Sequence, residues 1–343
     1  METCTRLDLL DELAARADAP WISLVLGDRR PVATRLAPDI IPIIYRHLQR
    51  LGKTRRLALV LYTTGGDTLV PLRLVRLLRE YCSELSVYVP FRAHSAGTMI
   101  CLGADNVYLS PLGELSPIDP TISSPFLPRE NSKPGEISIE DVVGYLELAR
   151  DRWAITDQGM LTCVFSKLVE ALHPLPLGNV HRTYEGIRVL ANELLALRNC
   201  SSQSLTDDER AALVDYLTSK MWFHNLPIAR SHAQDIGMKF VLDADPEMDL
   251  LLTRIYDAYA EYLQLAAPFV PDDYLSEPGS IALRIQAALL ESKTMSHVFL
   301  YDGRLESPQV PTPLPPGVQP SGSVVQWTRN RWSLVRDIEE PAG

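Results

Sequence analysis

Residues 57–67, LALVLYTTGGD, decide how this chain folds. Residues 57–62 are continuously apolar over the length of a strand, the pattern of a parallel strand buried on both faces rather than the alternation of a half-exposed one. The run stops at Thr63-Thr64-Gly65-Gly66-Asp67. Paired glycines let the backbone approach a neighbour closely, so their N–H groups can point into a cleft and stabilise an oxyanion. A Gly-Gly after a strand also serves as a plain turn, so the segment needs a chemical partner elsewhere.

Reading outward, residues 7–15 and 40–51 carry helical spacing, and residues 21–26 form a short β-rich run ending at Gly27 and Asp28. Downstream comes a helix over 69–81, a strand over 85–89, a turn over 90–94, a small-residue helix starting near Ser95 and a strand over 106–109. This βαβα order is the grammar of an α/β fold. A loop rich in Pro and Ser follows from Ser110 to about Gly135. Helical periodicity then dominates 137–198 and 206–218, before a strand-like 238–242 and a helix over 247–265.

The expected organisation is a core over 1–265 with a helical layer inserted at 137–218, an accessory segment at 266–306, a linker at 307–323, and a terminal strand and tail at 324–343. Residues 307–320 carry six prolines and read as extended chain. Residues 324–335, with Trp327 and Trp332, are expected to pair with 297–300 or with another subunit.

Composition narrows the function classes. In 343 residues, 46% hydrophobic and 22% charged residues describe an ordinary folded chain. A net charge of −10, from 33 basic and 43 acidic residues, argues against nucleic acid as partner. The five cysteines form no CxxC pair, which disfavours a disulfide framework or a zinc site and fits a reducing cytoplasm. No apolar run reaches the ~20 residues of a membrane helix, and the first residues lack a signal-peptide pattern, so no membrane span and a cytoplasmic location are expected. No phosphate-binding, dinucleotide or metal motif is present, so no cofactor and no metal are expected.

The partner for Gly65-Gly66 is Ser95, which follows the 85–89 strand after a short turn and opens a helix whose dipole favours nearby negative charge. Ala96 and Gly97 permit close approach there. A serine at this position also serves as a helix cap.

The two elements in this order resemble the Clp peptidase and signal peptide peptidase A families of the crotonase-like superfold. The resemblance is closest to the Clp-class serine peptidases called serine dehydrogenase proteinases. It rests on LYTTGGD (61–67), HSAGTMICLGAD (94–105), LGELSPIDP (112–120), HPLPLGNVHR (173–182) and WFHNLPI (222–228), and spans roughly residues 21–265.

The resemblance implies Ser95 as nucleophile and the N–H groups of Gly66, with Gly65 beside it, and Ala96 as oxyanion hole. It implies a peptide or protein substrate, a homo-oligomer and room for a partner protein. Where Clp peptidases carry a histidine base, this chain has Asp119. A carboxylate takes a serine proton poorly at its ordinary pKa, so Asp119 is read as the orienter of a histidine, with His224 the first choice. His173, Lys133 and Lys220 are the alternative bases, and His94, whose side chain is expected to point away from that of adjacent Ser95, is read as lining the cleft and not as the base. The expected reaction is peptide hydrolysis through an acyl-enzyme. Two alternatives stand beside it: a crotonase-type acyl-CoA hydrolase or isomerase, and a peptide-binding scaffold without catalysis.

Overall fold

The computed structural model describes residues 5–118, 121–123, 126, 136–199, 204–219, 226–275, 280–306 and 324–337. The apolar run at 57–62 lies in β2 (Thr54–Tyr62) and is buried throughout. Leu57, Leu59 and Leu61 face one apolar layer while Ala58, Val60 and Tyr62 face the other. Burial on both faces is what the absence of alternation required.

Beside β2 lie β1 (Trp21–Leu26) and β3 (Cys82–Val89), followed by β5 (Asn106–Leu109) and β10 (Val241–Leu242), all in parallel register. Connecting helices α2 (Ile40–Leu51), α3 (Val70–Arg79) and α4 (Ala96–Leu102) pack on one face. Helices α1 (Arg6–Ala17) and α10 (Pro246–Leu263) cover the other. The chain is therefore α/β, with a core of parallel strands between helical layers, as its βαβα pattern requires.

Three short strands form a small second sheet near the ends of the large one. They are β4 (Arg92–Ala93), β6 (Glu114–Leu115) and β9 (Ile228–Ala229), in the order β4-β6-β9. A further pair, β7 (Thr121–Ser123) and β8 (Glu136–Ser138), precedes the helical layer of α5 (Ile139–Glu147), α6 (Gln158–Ala171), α7 (Pro174–Ala196) and α8 (Asp207–Ser219). Of the expected strand at 238–242, only Val241 and Leu242 pair. The turn before them is held by Met238 N–H donating to Ala233 O and Val241 N–H to Met238 O.

The C-terminal segment is joined to the central sheet rather than set apart from it. Antiparallel strands β11 (Ser280–Ser292), β12 (Met295–Glu306) and β13 (Val324–Asp337) add to the edge at β1, giving an eight-stranded sheet among the described residues. Phe299 sits opposite Trp332 and His297 opposite Leu334, the pairing expected for 324–335. The junction is locked by Glu291, which is fully buried. Its carboxylate accepts from both Arg6 Nε (2.7 Å) and Arg6 Nη2 (2.8 Å), from Tyr259 Oη (2.8 Å) and from Ser296 Oγ (3.1 Å).

Among the described residues no helix is long and apolar enough to cross a membrane.

Candidate active site

The carboxyl ends of β1, β2 and β3 open onto one cleft of about 640 Å³, the usual location of ligand sites in open α/β sheets. Two bridges assemble it. Thr63 N–H donates to Arg92 O (2.8 Å) and His94 N–H to Thr63 O (3.0 Å), so the end of β2 pairs with the segment that carries Ser95. Leu36 N–H donates to Gly65 O (2.9 Å) and Asp67 N–H to Leu36 O (2.9 Å), which seats residues 27–36 over the glycine pair.

Ser95 has φ 50° and ψ −110°. These are the angles of the first corner of a type II′ turn, a slot ordinarily held by glycine. The turn closes through Gly97 N–H donating to His94 O at 2.7 Å. An L-residue held in such a region costs about 1–3 kcal/mol, and persists only where its surroundings enforce it. Here Ser95 N–H donates to Ser116 Oγ (2.8 Å), and Ser116 Oγ–H donates to Pro117 O (2.9 Å). Thr98 fixes the same loop by accepting from Ser116 N–H at 3.1 Å.

The capping alternative for Ser95 is not realised. Its side chain caps no helical N–H, and Ser95 Oγ has no hydrogen-bond partner among the described residues.

Gly65 lies against Ser95, and Gly66 against Leu36. A Cβ on Gly65 would stand 2.9 Å from Ser95 Cβ and 3.1 Å from His94 O, so only a glycine fits this approach. A Cβ on Gly66 would lie 2.5 Å from the Leu36 nitrogen and closer still to its carbonyl oxygen. The Gly65 N–H donates to Thr63 Oγ1 at 3.0 Å, so it is already engaged. The N–H groups of Gly66 and Ala96 have no acceptor among the described residues.

Charge in the cleft is ordered by Arg92. Its guanidinium donates to Asp28 (2.9 Å) and Glu114 (3.1 Å), and His94 Nε2–H donates to the same Glu114 oxygen at 3.0 Å. Burial lowers the His94 pKa below the ordinary histidine value, Arg92 lowers it further, and Glu114 opposes both. His94 is thus neutral near pH 7, with one ring nitrogen committed to Glu114. Burial, together with Asp28, pushes Tyr62 up and keeps it protonated.

His224, Asp119, Lys133 and Lys220 lie outside the described residues. Their neighbours are informative: Ser116 and Pro227 both line the cleft, and β6 and β9 pair beside β4. The segments leading to Asp119 and from His224 therefore converge on the Ser95 turn. His173 is elsewhere. It is exposed, caps α7 by accepting from Leu175 N–H (3.2 Å), and stacks on Phe126 with ring centroids 4.6 Å apart, so it does not line the cleft.

His94 lines the cleft as expected, whereas Ser116 and Glu114 are lining residues that composition and periodicity did not single out. Glu114 and Ser116, two apart at a strand end, share one face by strand alternation, which is the signal that marks them.

No family model matches the chain. It is 22% identical over 260 residues to an uncharacterized protein of Methanocaldococcus jannaschii, covering 73% of this chain and 78% of that protein. A second uncharacterized protein of the same archaeon is 21% identical over 207 residues, covering 60% of this chain and 54% of that one. The chain is thus similar to archaeal proteins whose names assign no activity.

Proposed function

We propose that this protein is a serine hydrolase of the Clp-peptidase type that cleaves peptide bonds through an acyl-enzyme on Ser95. The observation that carries this reading is the Ser95 turn itself: a serine on a strained backbone, approached closely by Gly65 and followed by the unengaged N–H of Ala96.

In this reading Ser95 Oγ attacks the scissile carbonyl carbon while a histidine takes the hydroxyl proton. The carbonyl oxygen becomes an oxyanion held by the N–H groups of Gly66 and Ala96. Collapse breaks the C–N bond, and the imidazolium returns its proton to the leaving amine. Water, deprotonated by the same imidazole, then attacks the ester; collapse of that second intermediate releases the acid and restores Ser95.

The base in this proposal is His224, oriented by Asp119. The convergence of their flanking segments at the β4-β6-β9 sheet supports it. A specific observation favours a second reading: His94 is in the cleft, and Glu114 fixes its ring through Nε2, which leaves Nδ1 as the nitrogen that would take a proton. Assembly into a homo-oligomer belongs to the same proposal.

The test compares hydrolysis of a peptide library by the unmodified protein and by Ser95→Ala, His224→Ala and His94→Ala, with calorimetric titration of coenzyme A alongside. Cleavage abolished by Ser95→Ala and by one histidine variant is the expected result. Coenzyme A binding with no peptide cleavage would replace the reading with crotonase-type chemistry.

A further inference from the structure

The segment between β1 and α2 is fastened so that two arginines face the Ser95 cleft. Gly27 N–H donates to Ala287 O (2.9 Å) and Thr34 N–H to Gly27 O (2.8 Å), while Leu36 is tied to Gly65 and Asp67. Arg29 turns inward. It is buried and donates to Ala267 O (2.9 Å), Pro268 O (3.1 Å) and Gln264 Oε1 (2.7 Å). With the chain fixed on either side, Arg30 and Arg35 line the cleft that holds Ser95.

These two differ from Arg92. Arg92 is satisfied by Asp28 and Glu114, whereas Arg30 and Arg35 are exposed and make no ion pair with any described residue. Among the described residues that line the cleft, three arginines therefore face two carboxylates, Asp28 and Glu114. The excess is positive, in a chain whose net charge is −10. Arginine's planar fork suits a carboxylate, and a cleft with low-dielectric walls focuses the field of such a pair.

We infer that Arg30 and Arg35 form a subsite for a carboxylate of the substrate, so that the cleft selects acidic peptides. This rests on the reading of Ser95 as a nucleophile acting on peptides. The carboxylate comes either from an Asp or Glu side chain near the scissile bond or from the peptide's C-terminus. A basic peptide is repelled.

The experiment follows the rate at which an uncharged fluorophosphonate labels Ser95 in the full-length protein, with three competing peptides. One contains Glu and has an amidated C-terminus, one replaces Glu by Gln with the same amide, and one contains Gln with a free C-terminus. The expected result is protection by at least one carboxylate-bearing peptide at roughly tenfold lower concentration than the Gln amide requires. Which peptide protects identifies the source. Protection weakens with added salt, and in Arg30→Gln/Arg35→Gln the carboxylate-bearing peptides lose their advantage over the Gln amide. Equal protection by all three peptides, with labelling intact, overturns the subsite alone. Absence of labelling in the unmodified protein overturns the nucleophile and the subsite with it.

Discussion

The backbone N–H of Ser95 donates to the Oγ of Ser116 at 2.8 Å, joining the strained turn to the loop that leads to Asp119. That bond is what holds the turn in a conformation an L-residue otherwise avoids. Ser116→Ala leaves a partly buried N–H without its acceptor and is expected to cost about 1–3 kcal/mol in urea unfolding. It is also expected to slow probe labelling of Ser95 by roughly ten- to a hundredfold, because the hydroxyl loses its set position. Unchanged labelling would mean that Ser116 does not position the nucleophile.

Strain at Ser95 makes a prediction of opposite sign. Ser95→Gly removes the hydroxyl and relaxes a positive φ, whereas Ser95→Ala removes the hydroxyl and keeps it. The glycine variant is expected to be more stable than the alanine variant by about 1–3 kcal/mol, both being inactive. Equal denaturation midpoints would show that the turn stores no strain.

Gly66→Ala drives a Cβ into the Leu36 backbone, which cannot swing aside as a side chain can. The 27–36 segment must shift, and the Gly66 N–H turns from the oxyanion position. A loss of roughly a hundred- to a thousandfold in labelling or turnover is expected, the size found when one oxyanion donor is removed. Activity within a few-fold of the unmodified protein would place the oxyanion elsewhere.

The acid limb of activity distinguishes the two histidines. Burial holds the His94 pKa below the ordinary value of ~6.5 while Glu114 pulls it upward. If His94 is the base, labelling persists below pH 6.5 and falls only at the lowered pKa, and Glu114→Gln moves the limb to still lower pH. A limb that Glu114→Gln leaves in place assigns the proton to His224.

A separate pair governs acid stability. His47 is fully buried, with its ring bonded to Ser292 Oγ (2.8 Å) and to His297 Nδ1 (2.9 Å), and burial, then His297, lowers its pKa to about 3. The folded pKa lies below the unfolded one, so this contribution is complete above pH ~6.5 and is lost as pH falls from there toward 3. Unfolding free energy is expected to drop by up to about 1.4 kcal/mol per pH unit across that window on account of His47. His47→Gln is expected to flatten the slope. A slope unchanged by the substitution would remove His47 as its cause.

The parts of the molecule legible in sequence are those whose burial sets a long pattern. Residues 57–62 read as a doubly buried strand, and α10 was found within two residues of each end, since its apolar stripe is long. β4, β6 and β9 escaped because two residues carry no periodicity, yet they bring the site together. The full β11–β12 hairpin also escaped. Its residues 280–286 alternate weakly and are largely exposed, so only the apolar 297–300 stood out. The close approach of Gly65 to Ser95 was legible because it demands a residue without a side chain. Ser116, Glu114 and Arg30 were not, since their roles arise from contacts distant in sequence.

The most direct measurement treats the purified protein with a fluorophosphonate probe and locates the adduct by peptide mass spectrometry. One adduct is expected, on Ser95, absent from Ser95→Ala and greatly reduced in either His224→Ala or His94→Ala. No adduct, or an adduct on another serine, would contradict the claim that Ser95 is an activated nucleophile.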